Sequence, residues 1–239
     1  MNMKFNVLSL FPEQIQSFFK SSIIFRAIKK GVINIKYWQL RDFANDKHKT
    51  VAPDIARRSR GGRVDDTPYG GGRGMVLKVD VVDKALKNIK SQISVSNLKS
   101  DKPYIILLTP KGKRFNQKTA QRLSKKKNLV LICGHYEGFD ARVENLVDEK
   151  ISIGDFILSG GEIAAAAIID SVARLVPGVL AKGSLDEESF NNGKNLEYPQ
   201  YTRPEKFTPK SKKLKQLSVP KVLLTGNHAE IKKWREENK

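Results

Sequence analysis

The sequence predicts an α/β protein with a mostly parallel β-sheet, followed by a small helical domain at its C-terminal end. Two observations predict the sheet. Short apolar runs alternate with longer segments of helical periodicity, which is typical of layered α/β domains. The runs are continuously apolar, as in YIILL from Tyr104, so both faces of these strands are expected to be buried. A third observation places the domain boundary, because the alternation stops after Pro177 and Gly178.

The individual elements follow from the same patterns. Apolar runs predict strands at 4–11, 33–40, 104–110 and 129–134. Helical patterns between or after them predict helices at 12–19, 79–93, 117–126 and 162–176. The predicted domains are 1–180, a linker at 181–196 with the composition AKGSLDEESFNNGKN, and a small helical domain at 197–239.

One long segment, from Phe43 to Gly74, has almost no apolar periodicity and is rich in glycine, proline, aspartate and basic residues. It is interpreted as a loop. Loops of this length in compact domains are commonly functional lids or disordered segments.

The composition points to a globular protein with a polyanionic partner. The 239 residues are 39% hydrophobic, which suffices for a core, and 44 Lys and Arg face 25 Asp and Glu for a net charge of +19. Nucleic acid fits this charge best, and a generically basic surface is the alternative. The single cysteine, Cys133, favours a reducing compartment. The sequence shows no secretion signal and no apolar stretch near the ~20 residues of a membrane span, so a cytoplasmic protein is expected.

Several common chemistries lack their motifs. The chain has no G-x-x-x-x-G-K-[ST] phosphate loop and no G-x-G-x-x-G fingerprint after its first strand. The three histidines, His48, His135 and His228, are far apart in sequence, which makes a zinc site improbable. Ser159 lacks the G-x-S-x-G turn of acyl-transfer enzymes.

Glycine-rich segments that mostly follow predicted strands are the remaining candidates for a site. They are DDTPYGGGRGM, LTPKGKRFNQ, CGHYEGFDARV and SIGDFILSGGE, and the last contains no Lys or Arg. In open α/β sheets, ligands bind beyond the carboxyl ends of the strands. Backbone amide and carbonyl groups between apolar walls suit a neutral, flat ligand, so a nucleoside without phosphates is expected. A tight turn before a helix is the alternative for SIGDFILSGGE.

An ordered set of motifs resembles the TrmD family of bacterial tRNA (guanine-N(1)-)-methyltransferases, of the SPOUT class. The motifs, between Lys4 and Arg235, are LSLFPE, YGGGRGM, CGHYEGFDARV, SIGDFILSGGE, IDSVARLVPGVL, YPQYTRP and TGNHAEIKKWR. Each motif alone is weak, whereas the ordered set is specific.

The resemblance implies a SPOUT fold with a deep trefoil knot that binds S-adenosylmethionine, and an obligate homodimer in which the linker of one subunit completes the cofactor site of the other. Carried over motif by motif, the cofactor-binding residues are Pro110, Gly112, Gly134, Tyr136, Ser152, Ile153, Gly154, Phe156, Leu158, Gly160 and Gly161. Glycines 160 and 161 would permit close backbone approach and unusual backbone conformations.

The resemblance also implies the catalytic residues. Glu188 of DEESF stands where the family has an aspartate that acts as general base, with Asp186 or Glu187 as the fallback. Arg174 matches an arginine that stabilises charge on the guanine oxygen, although Arg174 and Asp170 could simply form a helix-surface pair. Glu137 matches a glutamate linked to a Mg²⁺ requirement, and one carboxylate would hold the ion only with waters or substrate oxygens.

For tRNA, the family-matched contacts are His48, Asp65, Tyr69 and Arg203, which could meet the anticodon loop. The arginine-rich stretch at 52–64 could bind phosphate or be a disordered insert. The C-terminal domain is shorter than is common in the family, which puts its full set of tRNA contacts in question.

Three functional hypotheses remain open on the sequence. The first is methyl transfer from S-adenosylmethionine to N1 of guanosine 37 in tRNA, 3′ of the anticodon. The second is a non-catalytic RNA-binding protein of the same fold, and the third is a SPOUT methyltransferase that acts on another RNA. YGGGRGM and IDSVARLVPGVL favour the first over the third.

Overall fold

The computed structural model describes residues 2–44, 64–94, 102–185, 188–190, 196–210 and 215–239. The chain divides into two compact units, Met1–Lys182 and Gly183–Lys239. Among the described residues, no helix is long and apolar enough to cross a membrane. His48, Asp186, Glu187 and all of the arginine-rich stretch except Val64 lie outside the described residues.

A parallel sheet forms the centre of the first unit. Within the described residues it has five strands in the order β2-β1-β6-β5-β7, and every neighbouring pair is parallel. The strands are β1 (Met3–Ser9), β2 (Ile33–Gln39), β5 (Tyr104–Arg114), β6 (Asn128–Ile132) and β7 (Glu149–Ser152). Two short strands, β3 (Asp65–Asp66) and β4 (Val76–Leu77), pair separately. The mostly parallel α/β architecture predicted from the sequence is confirmed, and the trefoil knot stays a prediction.

Apolar side chains cover both faces of this sheet. Along β1, Phe5 and Val7 belong to one buried cluster, and Leu8 belongs to the other. Successive residues of β6 divide in the same way, with Leu129 in the first cluster and Val130 in the second. Because side chains alternate across a strand, this double burial is what the continuously apolar runs predicted.

Helices supply the layers on these faces. They are α1 (Pro12–Phe18), α2 (Ser22–Lys29), α3 (Val79–Ser94), α4 (Gln117–Leu123), α5 (Glu162–Ala173) and, in the second unit, α6 (His228–Glu237). Buried residues of α1, α2, α4 and α5 join the first cluster, and those of α3 join the second. The parallel strands therefore all end at one edge of a covered sheet, where ligand loops are expected.

The structure corrects several predicted bounds. Helix α2 and strand β7 were not predicted, and β7 was missed because EKIS is short and half charged. Helix α5 ends at Ala173 instead of residue 176, since Leu175 and Val176 donate hydrogen bonds three residues back, in a tighter turn. Strands β1 and β6 and helix α4 end two or three residues earlier than predicted. The end of the predicted 43–74 loop contains β3.

Strand β5 is longer than predicted, since it runs to Arg114 instead of ending at residue 110. Its pairing with β7 is interrupted, because Leu108 and Lys113 both lie opposite Ile151. The four residues between them, Thr109 to Gly112, form an irregular loop within the strand. Such irregularities place backbone beside a sheet edge, and this one lies beside Ser152 and the loop that follows it.

The second unit contains a helix and a short antiparallel ladder. Strand β8 (Lys206–Phe207) pairs with β9 (Leu217–Ser218), and a 3₁₀ turn covers Lys221–Leu224. Helix α6 starts after Asn227, whose side-chain oxygen accepts hydrogen bonds from the amides of Ala229 and Glu230. That cap satisfies two of the first amides of the helix. The ladder was not predicted.

Candidate active site

Two glycine-rich segments pair directly beyond the carboxyl end of β6. His135 and Gly160 form an antiparallel bridge, and the amide of Gly161 donates a 2.9 Å hydrogen bond to the carbonyl oxygen of Gly134. CGHYEG and SIGDFILSGGE are therefore held against each other, although thirteen residues, 139–151, separate them in the chain. Three of the predicted cofactor residues, Gly134, Gly160 and Gly161, are brought together here.

Packing explains why these positions are glycine. A Cβ atom on Gly160 would lie 2.3 Å from both Glu162 Oε2 and His135 Nε2. A Cβ atom on Gly161 would lie 2.8 Å from the Cα atom of Cys133. Gly161 has an ordinary φ of −78°. The predicted close backbone approach is thus observed, whereas the unusual conformation expected of Gly161 is not.

The irregular loop of β5 forms a second part of the same edge. A Cβ atom on Gly112 would lie 2.4 Å from the backbone nitrogen of Ile151, so the two backbones touch. Pro110 lies in the same loop and is exposed. The structure thus places the predicted residues Pro110 and Gly112 beside the start of the segment that begins at Ser152.

That segment folds back on itself. Ser152 Oγ donates a 2.9 Å hydrogen bond to the carbonyl oxygen of Gly154 and accepts one from its amide at 3.3 Å. A Cβ atom on Gly154 would lie 2.3 Å from the ring of Phe156, which is half exposed. Ile153 and Leu158 pack against the first core cluster. The segment therefore combines apolar side chains anchored on the core with exposed residues at 155–157.

Tyr136 is held in a left-handed conformation, with φ of 59°, and its ring is 54% exposed. A non-glycine residue in this region stores strain, which is common at ligand sites. The ring is thus available at the surface beside Gly134.

A buried carboxylate, missed in the sequence, lies beneath these loops. Glu162 is 2% exposed and accepts a 2.5 Å hydrogen bond from Ser9 Oγ. Its other oxygen lies 2.8 Å from His135 Nε2. The available signal was a charged residue heading the otherwise apolar run EIAAAAII. Burial raises the pKa of the neighbouring Cys133 thiol, and the charge of Glu162 raises it further.

A separate cluster joins the YGGGRGM segment to the loop after β6. The amide of Glu137 donates to the carbonyl of Met75 at 3.1 Å, and the amide of Leu77 donates to the carbonyl of Gly138 at 2.9 Å. Asp65 lies opposite Leu77 in the β3–β4 pair. The structure therefore brings the predicted residues Asp65 and Glu137 into one neighbourhood.

This neighbourhood presents exposed side chains. The Tyr69 ring is fully exposed, and the Glu137 side chain is exposed close to Gly74, which has φ of 88°. Over the ranges that the structure describes, no group of three His, Cys, Asp or Glu side chains forms a metal site. Glu137 as a Mg²⁺ ligand stays a prediction.

The remaining predicted residues lie elsewhere. Arg174 follows α5, and the thirteen steps of about 1.5 Å from Gly161 place it about 20 Å away along the helix axis. Its amide bonds to the carbonyl of Asp170. Glu188 and Arg203 belong to the second unit, where Glu188 is half-buried and Arg203 is exposed. Within one chain, α5 thus separates Arg174 from the glycine loops.

Comparison with known proteins decides the family. The model of a family described as tRNA (Guanine-1)-methyltransferase TrmD matches residues 3–239. The chain belongs to the TrmD family. The resemblance inferred from the ordered motifs is therefore confirmed over nearly the whole chain, and the central parallel sheet is consistent with the SPOUT fold.

Individual TrmD relatives match over the same extent. A tRNA (guanine-N(1)-)-methyltransferase of Metamycoplasma arthritidis is 48% identical over 98% of this chain and 90% of its own length. The enzyme of the same name from Clostridioides difficile is 44% identical, with 98% and 91% covered. That of Borreliella burgdorferi is 48% identical, with 98% and 86% covered. The similarity thus includes both units, and so the second unit belongs to the TrmD architecture.

Proposed function

We propose that this protein transfers a methyl group from S-adenosylmethionine to N1 of guanosine 37 in tRNA. The observation that carries the proposal is the TrmD match over residues 3–239, together with similarly named relatives that cover 98% of the chain. The net charge of +19 supports a nucleic acid substrate. Nothing in the described residues favours a non-catalytic RNA-binding protein or another RNA as substrate.

The residues at the sheet edge fit the donor. The adenine base of the donor is neutral and flat, and the edge offers close-packed backbone at Gly112, Gly134, Gly160 and Gly161, where Cβ atoms would clash. We assign donor binding to the predicted set Pro110, Gly112, Gly134, Tyr136, Ser152, Ile153, Gly154, Phe156, Leu158, Gly160 and Gly161. When bound, S-adenosylmethionine supplies an electrophilic methyl group on a sulfonium sulfur.

Two side chains of the protein handle charge in this proposal. N1 of guanine must lose its proton as it is methylated, and the carboxylate of Glu188 accepts that proton as general base. Negative charge then develops on the guanine O6 atom, and the guanidinium group of Arg174 donates hydrogen bonds to it. Glutamate in place of the family's aspartate keeps the carboxylate and adds one methylene. Glu137 would hold Mg²⁺ together with waters or substrate oxygens.

The tRNA contacts in this proposal are His48, Asp65, Tyr69 and Arg203. The full exposure of the Tyr69 ring suits stacking on an unstacked base of the anticodon loop. Asp65 lies in the same segment as Tyr69, and Arg203 is exposed in the second unit.

A homodimer explains how distant residues act together. The loops to which we assign the donor are 109–112, 133–138 and 152–161, called the donor loops below. Arg174 lies at the far end of α5 from the donor loops, so a second copy of the chain would have to bring its own Arg174 and linker to them. Exposed apolar side chains near the loops, Phe156, Ile157 and Ile163, support such an interface.

The experiment is radiolabelled methyl transfer to tRNA transcripts that carry guanosine or adenosine at nucleotide 37. We expect incorporation only with guanosine. Glu188→Gln should lower kcat by about 10²–10⁴-fold, the usual contribution of a general base, while calorimetry shows unchanged donor affinity. Glu197→Gln removes an exposed carboxylate from the same unit and serves as the matched control.

The other hypotheses give different results. Donor binding without transfer to any tRNA would favour the non-catalytic protein, and transfer independent of nucleotide 37 would favour another RNA. Normal turnover by Glu188→Gln would remove Glu188 as the base while leaving the enzyme, and Asp186 and Glu187 would be replaced next.

A further inference from the structure

The proposed reaction leaves the buried Glu162 without a role. A carboxylate at 2% exposure is costly unless hydrogen bonds compensate for lost hydration. Glu162 has one partner on each oxygen, Ser9 Oγ at 2.5 Å and His135 Nε2 at 2.8 Å. A carboxylate only accepts hydrogen bonds, so the geometry assigns the imidazole proton to Nε2. The charge is therefore held by two donors.

The two partners come from different parts of the sheet edge. Ser9 ends β1, in the LSLFPE motif that the proposed reaction does not use, and its Oγ also accepts a 2.8 Å hydrogen bond from the amide of Phe11. His135 lies in the loop after β6, and its ring contacts that of Phe11 edge-on, with centroids 4.9 Å apart. Glu162 itself opens α5. One carboxylate thus joins the ends of two strands to the start of a helix.

The donor loop rests on this arrangement. Gly160 is bridged to His135, and a Cβ atom on Gly160 would lie 2.3 Å from both His135 Nε2 and Glu162 Oε2. The backbone of Gly160 therefore packs directly on the hydrogen-bonded pair. If this pair moves, Gly160 has to move with it. The amide of Gly161 has to move too, because it donates a 2.9 Å hydrogen bond to the carbonyl oxygen of Gly134, which precedes His135.

We propose that Glu162, held by Ser9 and His135, is a positioning residue that sets the backbone of Gly160 and Gly161 for the methyl donor. The inference rests on the proposed function, because it assigns the donor to these glycines. Glu162 acts through the loop and does not itself contact guanine. Its loss should therefore weaken donor binding and leave tRNA binding unchanged.

The test compares two replacements of His135. Glutamine carries an amide N–H at the same number of bonds from the backbone as Nε2, whereas leucine has similar bulk and no donor. We expect His135→Leu to raise the Kd for S-adenosylmethionine about 10-fold by calorimetry, the usual cost of one hydrogen bond to a charged group. His135→Gln should stay within about 2-fold of the wild type, because it restores that bond.

Ser9→Ala and Glu162→Gln complete the series. Ser9→Ala removes a single oxygen, so it keeps the test decisive if His135→Leu does not fold, and it should also raise the donor Kd. Glu162→Gln leaves one acceptor oxygen for the two hydrogen-bond donors, Ser9 and His135. It should therefore also raise the Kd for S-adenosylmethionine. Glu144→Gln removes an exposed carboxylate that pairs with Lys150 and is the matched control. The Kd for tRNA, from filter binding, and the Tm of each variant are measured in parallel.

The results separate this inference from the proposed function. A wild-type protein that binds no S-adenosylmethionine overturns the proposed function. A wild-type protein that binds it, with variants that bind equally well, overturns only the positioning role. A tRNA Kd that rises in proportion to the donor Kd also overturns it, because the effect is then general. The positioning role is also overturned if His135→Gln binds S-adenosylmethionine as weakly as His135→Leu does.

Discussion

Steric contacts explain why particular positions at this site are occupied by glycine. Gly160 and Gly161 are glycines because a side chain would meet His135, Glu162 or the Cys133 backbone. The sequence predicted a glycine-rich turn ahead of helix α5, since such a turn is a local pattern, and donor binding by this turn stays a proposal. The sequence could not predict Glu162 as the support of these glycines, because Ser9 is 153 positions away along the chain.

Burial also shifts the pKa of a residue outside the site. Tyr37, in β2, packs against the first core cluster, and desolvation raises its pKa from 10.0 to about 12. The native state therefore keeps a proton that the unfolded chain releases above pH 10.0. Its contribution to stability is complete below that pH and is lost as the pH rises toward 12.

We expect Tyr37→Phe, which has no phenol to ionise, to lose less stability in this range. Between about pH 9 and about pH 11, urea unfolding should show a smaller fall in the free energy of unfolding for Tyr37→Phe than for the wild type. Tyr69→Phe, which alters a fully exposed ring, should follow the wild type at both values. Equal losses in Tyr37→Phe and the wild type would contradict the raised pKa.

At the scale of elements, β5 shows the limit of a local pattern. The apolar run YIILL predicted its first part, but the strand continues through Lys113 and Arg114 because they pair with Ile151 and Ser152 of β7. Strand β7 was missed for the same reason, since EKIS has too few apolar residues to signal a strand by itself. Pairing with a neighbour, which depends on tertiary structure, defines both segments.

Gly112 makes this pairing possible, and its replacement tests the irregular loop. A Cβ atom there would lie 2.4 Å from the backbone nitrogen of Ile151, which cannot move without breaking the β5–β7 ladder. We expect Gly112→Ala to destabilise the protein by about 1–3 kcal/mol, the usual cost of overpacking, measured by urea unfolding. The exposed neighbour Lys113→Ala should change stability by less than about 0.5 kcal/mol. If Gly112→Ala leaves the stability unchanged, the backbone around residues 112 and 151 relaxes to make room for the methyl group.

At the scale of the whole molecule, the proposed reaction assigns roles to residues of both units. Glu188 belongs to the unit Gly183–Lys239, whereas the donor loops belong to Met1–Lys182. In the proposed homodimer, the linker of one copy completes the donor site of the other. That arrangement can be distinguished from a site made within one chain by mixing two inactive variants.

Gly161→Val should disable the donor loop, because its side chain would meet the Cys133 backbone, and Glu188→Gln should disable the base. Co-expressed, they form mixed dimers in which one site combines an intact loop with an intact linker. Random pairing would restore about one quarter of wild-type methyl transfer, since half the dimers are mixed and each has one working site. Each variant expressed alone is the control, and sedimentation checks the dimer. No recovery in mixed dimers would place loop and base in the same chain.

The sequence by itself determined the α/β class, the parallel sheet and the family. Continuous apolar runs indicate strands buried on both faces. The ordered motifs are local features that can be recognised without knowing any tertiary contact. Only the tertiary structure decided the register of β5 against β7 and the contact of Ser9 and His135 with Glu162. Periodicity is a property of neighbouring residues, whereas these contacts join residues that come together only once the sheet has formed.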